Sequence, residues 1–112
     1  HVNMTQVFVG LGDAPFVMVL GKPTHARGIP LPELSDVKAF RFPAAHGIML
    51  HRGTWHDFPM AWNAPVTVLT VNSEEVVEVL ATALTADELD GGDVLKIDIV
   101  RRFGKRLEVQ IP

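Results

Sequence analysis

The chain has no cysteine among its 112 residues. Without a thiol there is no disulfide framework, no thiolate metal site and no cysteine nucleophile. A cysteine-free sequence fits a reducing compartment. Basic excess is missing too: Lys and Arg number 10 against 13 Asp and Glu, for a net charge of −3. A generic nucleic-acid binder needs cations to neutralise phosphates, so that class is disfavoured. No apolar run approaches the roughly 20 residues that span a bilayer, and no signal-peptide pattern opens the chain. The expectation is a cytoplasmic protein that engages neither nucleic acid nor membrane.

What is present is ordinary for a soluble protein, at 47% hydrophobic and 21% charged residues. This length suffices for one domain with a single modest core, expected over residues 1–112. The chain opens at His1 without a methionine and enters an apolar run by Val7, so it reads as a polypeptide joined midway, its upstream residues either lying outside this sequence or absent.

Short β-type runs dominate. Residues 6–9 and 16–20 flank Gly10-Leu11-Gly12-Asp13-Ala14-Pro15, a hairpin-turn composition. Residues 21–32 carry three prolines and two glycines and read as a loop. Residues 37–42, ended by Pro43, and Ile48-Met49-Leu50 are further strands. Residues 66–71 are rich in β-branched side chains and should form a buried strand, and the valines of residues 76–80 favour strand as well. Thr85-Ala86-Asp87-Glu88 is a capping-box pattern before one helical turn, stopped by Gly91-Gly92. Leu95, Ile97 and Ile99 alternate with polar residues, as do Leu107, Val109 and Ile111, and residues 101–106 make a plausible hairpin between them. Many short strands with Gly/Pro turns and at most one or two short helices predict an all-β antiparallel barrel or sandwich.

Several groups invite a chemical reading. Gly10-Leu11-Gly12 superficially looks like a dinucleotide fingerprint, but no helix follows and Pro15 stands where the third glycine belongs. Arg101, Arg102, Lys105 and Arg106 read as a solvated hairpin tip before an anion patch. His25 and His46 are loop histidines, and Glu74, Glu75 and Glu78 suggest an exposed face. The densest chemistry is His51-Arg52-Gly53-Thr54-Trp55-His56. An odd offset of five sends two histidines to opposite faces of a regular strand. It also misses the i/i+4 register of helical zinc sites. A sharp turn at Gly53 is what lets the flanking side chains converge. Taken alone, the cluster fits equally well a core Trp55 flanked by surface imidazoles. Imidazole can ligate a divalent ion or exchange a proton near its unperturbed pKa of about 6.5. Arginine offers a fork suited to a carboxylate.

The spacing His51-x-Gly53-x-x-His56 resembles the second cupin motif, Pro-x-Gly-x-x-His, with histidine replacing proline. More specifically, the six residues resemble the His-Arg-Gly-x-Trp-His signature of the ureidoglycolate lyase family. His1-Val2-Asn3-Met4-Thr5-Gln6-Val7-Phe8 is similar to that family's His-Pro-x-Ser-x-Gln-Ala-Phe segment, and Val37-Lys38-Ala39-Phe40 fits its approach to the signature. The likeness covers roughly residues 1–71; the tail from Glu74 onward departs from the family ending. The resemblance implies a cupin-like double-stranded β-helix, a jelly-roll barrel here lacking the family's first strands, and a homodimer. It implies a carbon–nitrogen lyase that splits ureidoglycolate into glyoxylate and urea in allantoin and purine breakdown. By position, His1, Gln6 and His56 would be the ligands of a divalent metal ion. His51, Arg52 and His56 would be catalytic, with Gln6, Arg52 and Trp55 against a small carboxylate-bearing substrate. Two alternatives stand beside it: a non-catalytic cupin module that binds a small acid or sugar, and a metal-dependent cupin oxygenase or isomerase.

Overall fold

The computed structural model describes residues 1–83 and 85–112. They group into two compact units, His1–Asn72 and Ser73–Pro112.

The first unit is built from strands β1 (Gln6–Leu11), β2 (Phe16–Gly21), β3 (Lys38–Phe42), β4 (Gly47–Leu50), β5 (Trp55–His56), β6 (Met60–Ala61) and β7 (Thr67–Val71). One sheet has the order β4-β1-β7 and the other β3-β2-β5, with β6 also paired to β2. Every pairing is antiparallel. The expected all-β, antiparallel, cupin-like architecture is therefore met.

Alternation explains the layering. Gln6, Phe8 and Gly10 are the buried side of β1, while Val7 and Val9 are only half-buried. Phe8 and Leu50 of one sheet join Phe16 and Met18 of the other in a single core, closed by Leu20, Phe42, Ile48, Val66 and Val68. Each fully buried aromatic or aliphatic side chain of this kind contributes about 1.5–3 kcal/mol. Phe16 stacks on Phe42 with ring centroids 4.9 Å apart, and it crosses directly against Gly10, where a Cβ would stand 3.1 Å from its ring. The bare α-carbon of Gly10 lets the sheets approach at that point.

Residues 10–15 were expected to close a β1–β2 hairpin. They instead carry the chain from one sheet to the other, because β1 and β2 are never partners. The exchange puts Phe8 and Phe16 face to face in the core, which one shared sheet could not do. β7 was expected to be buried; it is an edge strand with Val68 turned toward the core and Leu69 and Val71 more than half exposed. β5 and β6 run along the same edge of β2, but their register slips by one residue between His56 and Met60. Residues 57–59 form the resulting bulge. Pro59 has no N–H to give the ladder, and the N–H of Phe58 turns to the Asp57 carboxylate at 2.7 Å.

The second unit holds helix α1 (Glu74–Thr82), a hairpin of β8 (Leu89–Gly91) and β9 (Val94–Lys96), and helix α2 (Ile99–Phe103). Where strand was expected over residues 76–80 there is helix. The hydroxyl of Ser73 accepts the Val76 N–H at 3.2 Å, and Glu74 and Glu75 complement the N-terminal dipole. Val76, Val79 and Leu80 then share one covered face at i, i+3 and i+4, which outweighs the modest helix propensity of valine. The helical turn expected to follow the capping box of residues 85–88 does not form; Leu89–Gly91 is strand, and Gly92-Asp93 is the two-residue turn of a hairpin. Residues 101–106 are not a hairpin either. Asp98 caps α2 by accepting the Arg101 N–H at 3.1 Å, and Gly104 ends the helix in the left-handed region. The alternation at residues 107–111 makes no strand ladder. No helix of the described residues is long and apolar enough to cross a membrane.

The arginines expected at a hairpin tip face Glu88 instead. Its carboxylate accepts from Arg102 Nε at 2.7 Å and Nη2 at 3.0 Å. It also accepts from the Asp98 N–H at 3.1 Å, with Arg101 3.5 Å away. The Arg102 fork foremost, then the Asp98 amide, lower its pKa from 4.5 to about 2. A depressed carboxylate stabilises the fold above its unfolded pKa and stops doing so as pH falls through the folded value. Exchange protection at the Asp98 amide should accordingly be complete above pH 4.5 and decay toward pH 2. Glu88→Gln should abolish that pH dependence. An Asp98 amide resonance that is flat across the range in the unsubstituted chain would refute the assignment.

Candidate functional site

The site is built around the turn between β4 and β5. Gly53 adopts φ +80°, a conformation L side chains rarely take. The Thr54 N–H closes back onto the His51 carbonyl at 3.1 Å, and the Gly53 N–H donates to the His1 carbonyl at 2.6 Å. That second bond straps the start of the chain to the turn. It brings the His1 and His56 rings to a centroid separation of 5.6 Å at a tilt of 58°.

His56 extends from β5, opposite Leu20 of β2. Its ring stands edge-on to Phe8 at 6.0 Å. Its Nδ1 lies 2.9 Å from the Thr54 carbonyl. A carbonyl can only accept, so Nδ1 carries the proton of the neutral ring and Nε2 keeps a free lone pair. Burial lowers the His56 pKa below 6.5, partly opposed by the Thr54 hydrogen bond. Desolvation wins, and the ring is neutral at pH 7. It can accept a proton or ligate an ion.

Gln6 shares the inner side of β1 with Phe8 and is 6% exposed. Its amide Nε2 donates to the Asn72 side-chain oxygen and approaches Thr70 Oγ1 at 3.4 Å. Its Oε1 is buried without a hydrogen-bond partner among the described residues. Such an acceptor costs about 1–3 kcal/mol when left unmade, which marks the position as one that a ligand would relieve.

His51 and Arg52 lie on the exposed side of the turn. Trp55 is half-buried, and its indole N–H donates to Thr24 Oγ1 at 2.9 Å. The turn therefore brings His1 and His56 together. Gln6 lies on the same inner row of β1 as Phe8, whose ring meets His56; His51 and Arg52 are exposed, and Trp55 turns its indole to Thr24. A concavity of about 180 Å³ opens beside Phe8 and Thr70, with Phe58, Pro59, Val66 and Val68 as its other walls. Its lining side chains are apolar apart from Thr70.

The donor set for a cation can be judged from these positions. Two imidazoles that share a tetrahedral ion have centroids about 5 Å apart, given metal–nitrogen bonds near 2.0–2.1 Å. The separation of 5.6 Å for His1 and His56 is compatible with that arrangement, and equally with an ordinary tilted ring pair. The Thr54 carbonyl orients His56 as outer partners of metal-bound imidazoles do. No group of three or more His, Asp or Glu side chains is placed to hold a metal ion among the described residues. Under the assignment the resemblance implies, the Gln6 amide oxygen would be the third protein ligand.

One participant gave little signal in the sequence. His25 sits in a 3-10 turn (His25–Arg27) of the 21–32 loop, and its ring covers the bare α-carbon of Gly53. A Cβ built on Gly53 would lie 2.1 Å from His25 Nδ1. In the sequence it is marked only as a histidine of a proline- and glycine-rich loop.

Comparison with known proteins agrees with the signature. The family model described as ureidoglycolate lyase matches residues 1–89, which reaches further than the resemblance over residues 1–71 and takes in α1. A curated ureidoglycolate lyase of Salmonella enteritidis PT4 is 35% identical over 72 residues, covering 64% of this chain and 42% of that protein. Those of Salmonella paratyphi B and Salmonella gallinarum are 34% identical over the same coverage. The chain spans 42% of the length of these relatives. No solved structure matches it significantly.

Gly53 yields a direct test. Gly53→Ala should cost about 1–2 kcal/mol for a left-handed residue with a side chain, plus the clash with His25. His25→Ala in the same chain should recover only the clash. A denaturant series on the two single variants and the double variant separates the terms. Full additivity of the two single effects would remove His25 from the turn.

Proposed function

The chain belongs to the ureidoglycolate lyase family, and from that premise we propose that it acts on ureidoglycolate, releasing glyoxylate and urea as a carbon–nitrogen lyase of allantoin and purine breakdown. The observation that carries the reading is the signature turn itself. It presents a neutral, partly buried His56 beside His1, with His51 and Arg52 at its exposed rim.

Ureidoglycolate is a carbinolamine. Its hydroxyl oxygen must lose a proton as the C–O bond becomes a carbonyl. The C–N bond breaks at the same carbon, and the departing urea nitrogen must gain a proton. No oxidant or second substrate is needed. His51 is the proton-transfer residue in this scheme, and positioned acid–base groups of this kind contribute about 10²–10⁴-fold. Arg52 pairs with the substrate carboxylate through its two-pronged guanidinium. His56, held neutral by burial and aimed by Thr54, accepts from or orients the hydroxyl. Gln6 contributes its unpartnered Oε1, and Trp55 supports the turn from the other face of β5, with its indole on Thr24.

A divalent ion, if bound, would be held by His1, Gln6 and His56 and would supply acidification of the substrate hydroxyl. The set lacks a carboxylate and is correspondingly weak. The remaining assignments follow the family: a cytoplasmic homodimer with a small carboxylate-bearing substrate as its ligand. The second reading is a non-catalytic cupin module. It would bind a small acid or sugar without cleaving it, and the concavity beside Phe8 and Thr70, whose lining includes none of His1, His51, Arg52 or His56, favours it.

The assay is glyoxylate release across substrate concentration with the full-length protein. His51→Ala should lower kcat by about 10²-fold or more with modest change in KM. Arg52→Lys should chiefly raise KM, because the fork is lost while the charge remains. His56→Ala should be the most damaging. Full activity in both histidine variants would end the lyase reading and promote the binding module.

A further inference from the structure

We propose that Thr24 is a positioning residue for the signature turn, acting on His56 through Trp55; this deepens the lyase reading and rests on it for its activity arm. Thr24 is 2% exposed and lies 31 residues from Trp55, whose indole N–H it accepts at 2.9 Å. The same hydroxyl is 2.9 Å from the Ile29 carbonyl and 3.0 Å from that of Leu31. One O–H cannot serve both carbonyls fully, so it is shared between them. The loop's own closure and its grip on the indole are therefore one hydrogen-bonded unit.

The consequence reaches His56 by strand geometry. β5 is only two residues long, paired through Trp55 with Gly21 and through His56 with Leu20. A ladder that short restrains the roll of the strand about its axis poorly. Adjacent strand residues point to opposite faces, so holding the indole on one side fixes the imidazole on the other, against Phe8 and His1. The His25 ring over Gly53 adds a second contact between the same loop and the same turn. A displacement of about 1 Å at reacting groups costs roughly a hundredfold in rate, which is the scale of effect a loosened anchor can produce. Thr24 touches no reacting atom in this scheme; it acts only through Trp55.

The test compares Thr24→Val, which keeps the shape and loses the hydroxyl, with Thr24→Ser, which keeps the hydroxyl. Two readouts are taken on the full-length protein. The first is the NMR signature of the Trp55 indole N–H and of the His56 ring nitrogens. The second is glyoxylate release. Thr24→Val should shift the indole resonance and replace the single Nδ1–H form of His56 with an averaged pattern. It should also lower kcat roughly ten- to a hundredfold with KM within about twofold. Thr24→Ser should restore both. Trp55→Phe should reproduce the valine phenotype, and the double variant should be no worse than either single one. An unchanged His56 pattern in a folded Thr24→Val variant overturns the proposal. So does a Thr24→Ser variant as impaired as the valine one. Absence of glyoxylate release from the unsubstituted protein would count against the lyase reading alone, and the His56 spectrum would still decide the role of Thr24.

Discussion

A missing methyl group at Gly53 is the constraint on which the site depends. With φ at +80° and no Cβ, the turn does three things that no other residue type could combine. It reverses the chain between the sheets, offers its N–H to the His1 carbonyl, and leaves its α-carbon bare for the His25 ring. Three segments far apart in sequence, residues 1–6, 21–32 and 51–56, meet because of it. Each of those contacts is a hydrogen bond or ring contact worth of order 1 kcal/mol. None is decisive by itself, but all of them require the same local geometry.

The core supplies the rigidity behind that turn. Phe8 takes part in both: it is packed with Phe16, Met18 and Leu50, and its ring meets His56 edge-on. A polar, titratable side chain thus leans directly on the apolar centre. Burial there has an electrostatic result, since it outweighs the Thr54 hydrogen bond and keeps His56 neutral. In the second unit the balance runs the other way. Glu88 is surrounded by Arg102, Arg101 and the Asp98 amide, and hydrogen bonding outweighs desolvation. The same two physical terms give a neutral base in one place and a firmly ionised acid in the other.

How much of this was legible in the sequence depends on whether the controlling interaction is local. The antiparallel all-β layout of residues 1–71 follows from short alternating runs separated by glycine and proline, and the Gly53 turn follows from an odd spacing that neither helix nor strand can use. Partner choice among strands is non-local, so the hairpin expected at residues 10–15 resolved into a crossing between sheets. The second unit was misread for a different reason. Valine's β preference is weak beside a Ser73 cap, two acidic residues in the first turn and a shared apolar face, and α1 results. Likewise Arg101 and Arg102 look like a solvated tip until Glu88, 13 and 14 residues earlier, claims them. The pairing of His1 with His56 could be anticipated only through family resemblance, and the arrival of His25 not even by that.

The pattern of unmet hydrogen-bonding capacity carries the chemical argument one step further. Buried polar groups in folded proteins are almost always paired, and Thr24 shows how strictly, with one hydroxyl serving an indole and two carbonyls. Against that standard the unpartnered Oε1 of Gln6 is an exception. It lies on the same inner row of β1 as Phe8, and Phe8 touches His56. A folded core accepts such a cost where something outside the chain repays it. The other open capacity nearby is the Nε2 lone pair of His56, left free because Nδ1 is committed to Thr54. One acceptor is an amide oxygen and the other an imidazole nitrogen, so both seek the same kind of guest: a hydroxyl, an N–H or a cation. Donor-poor, partly desolvated and held by a single glycine turn, the pair offers such a guest two acceptors.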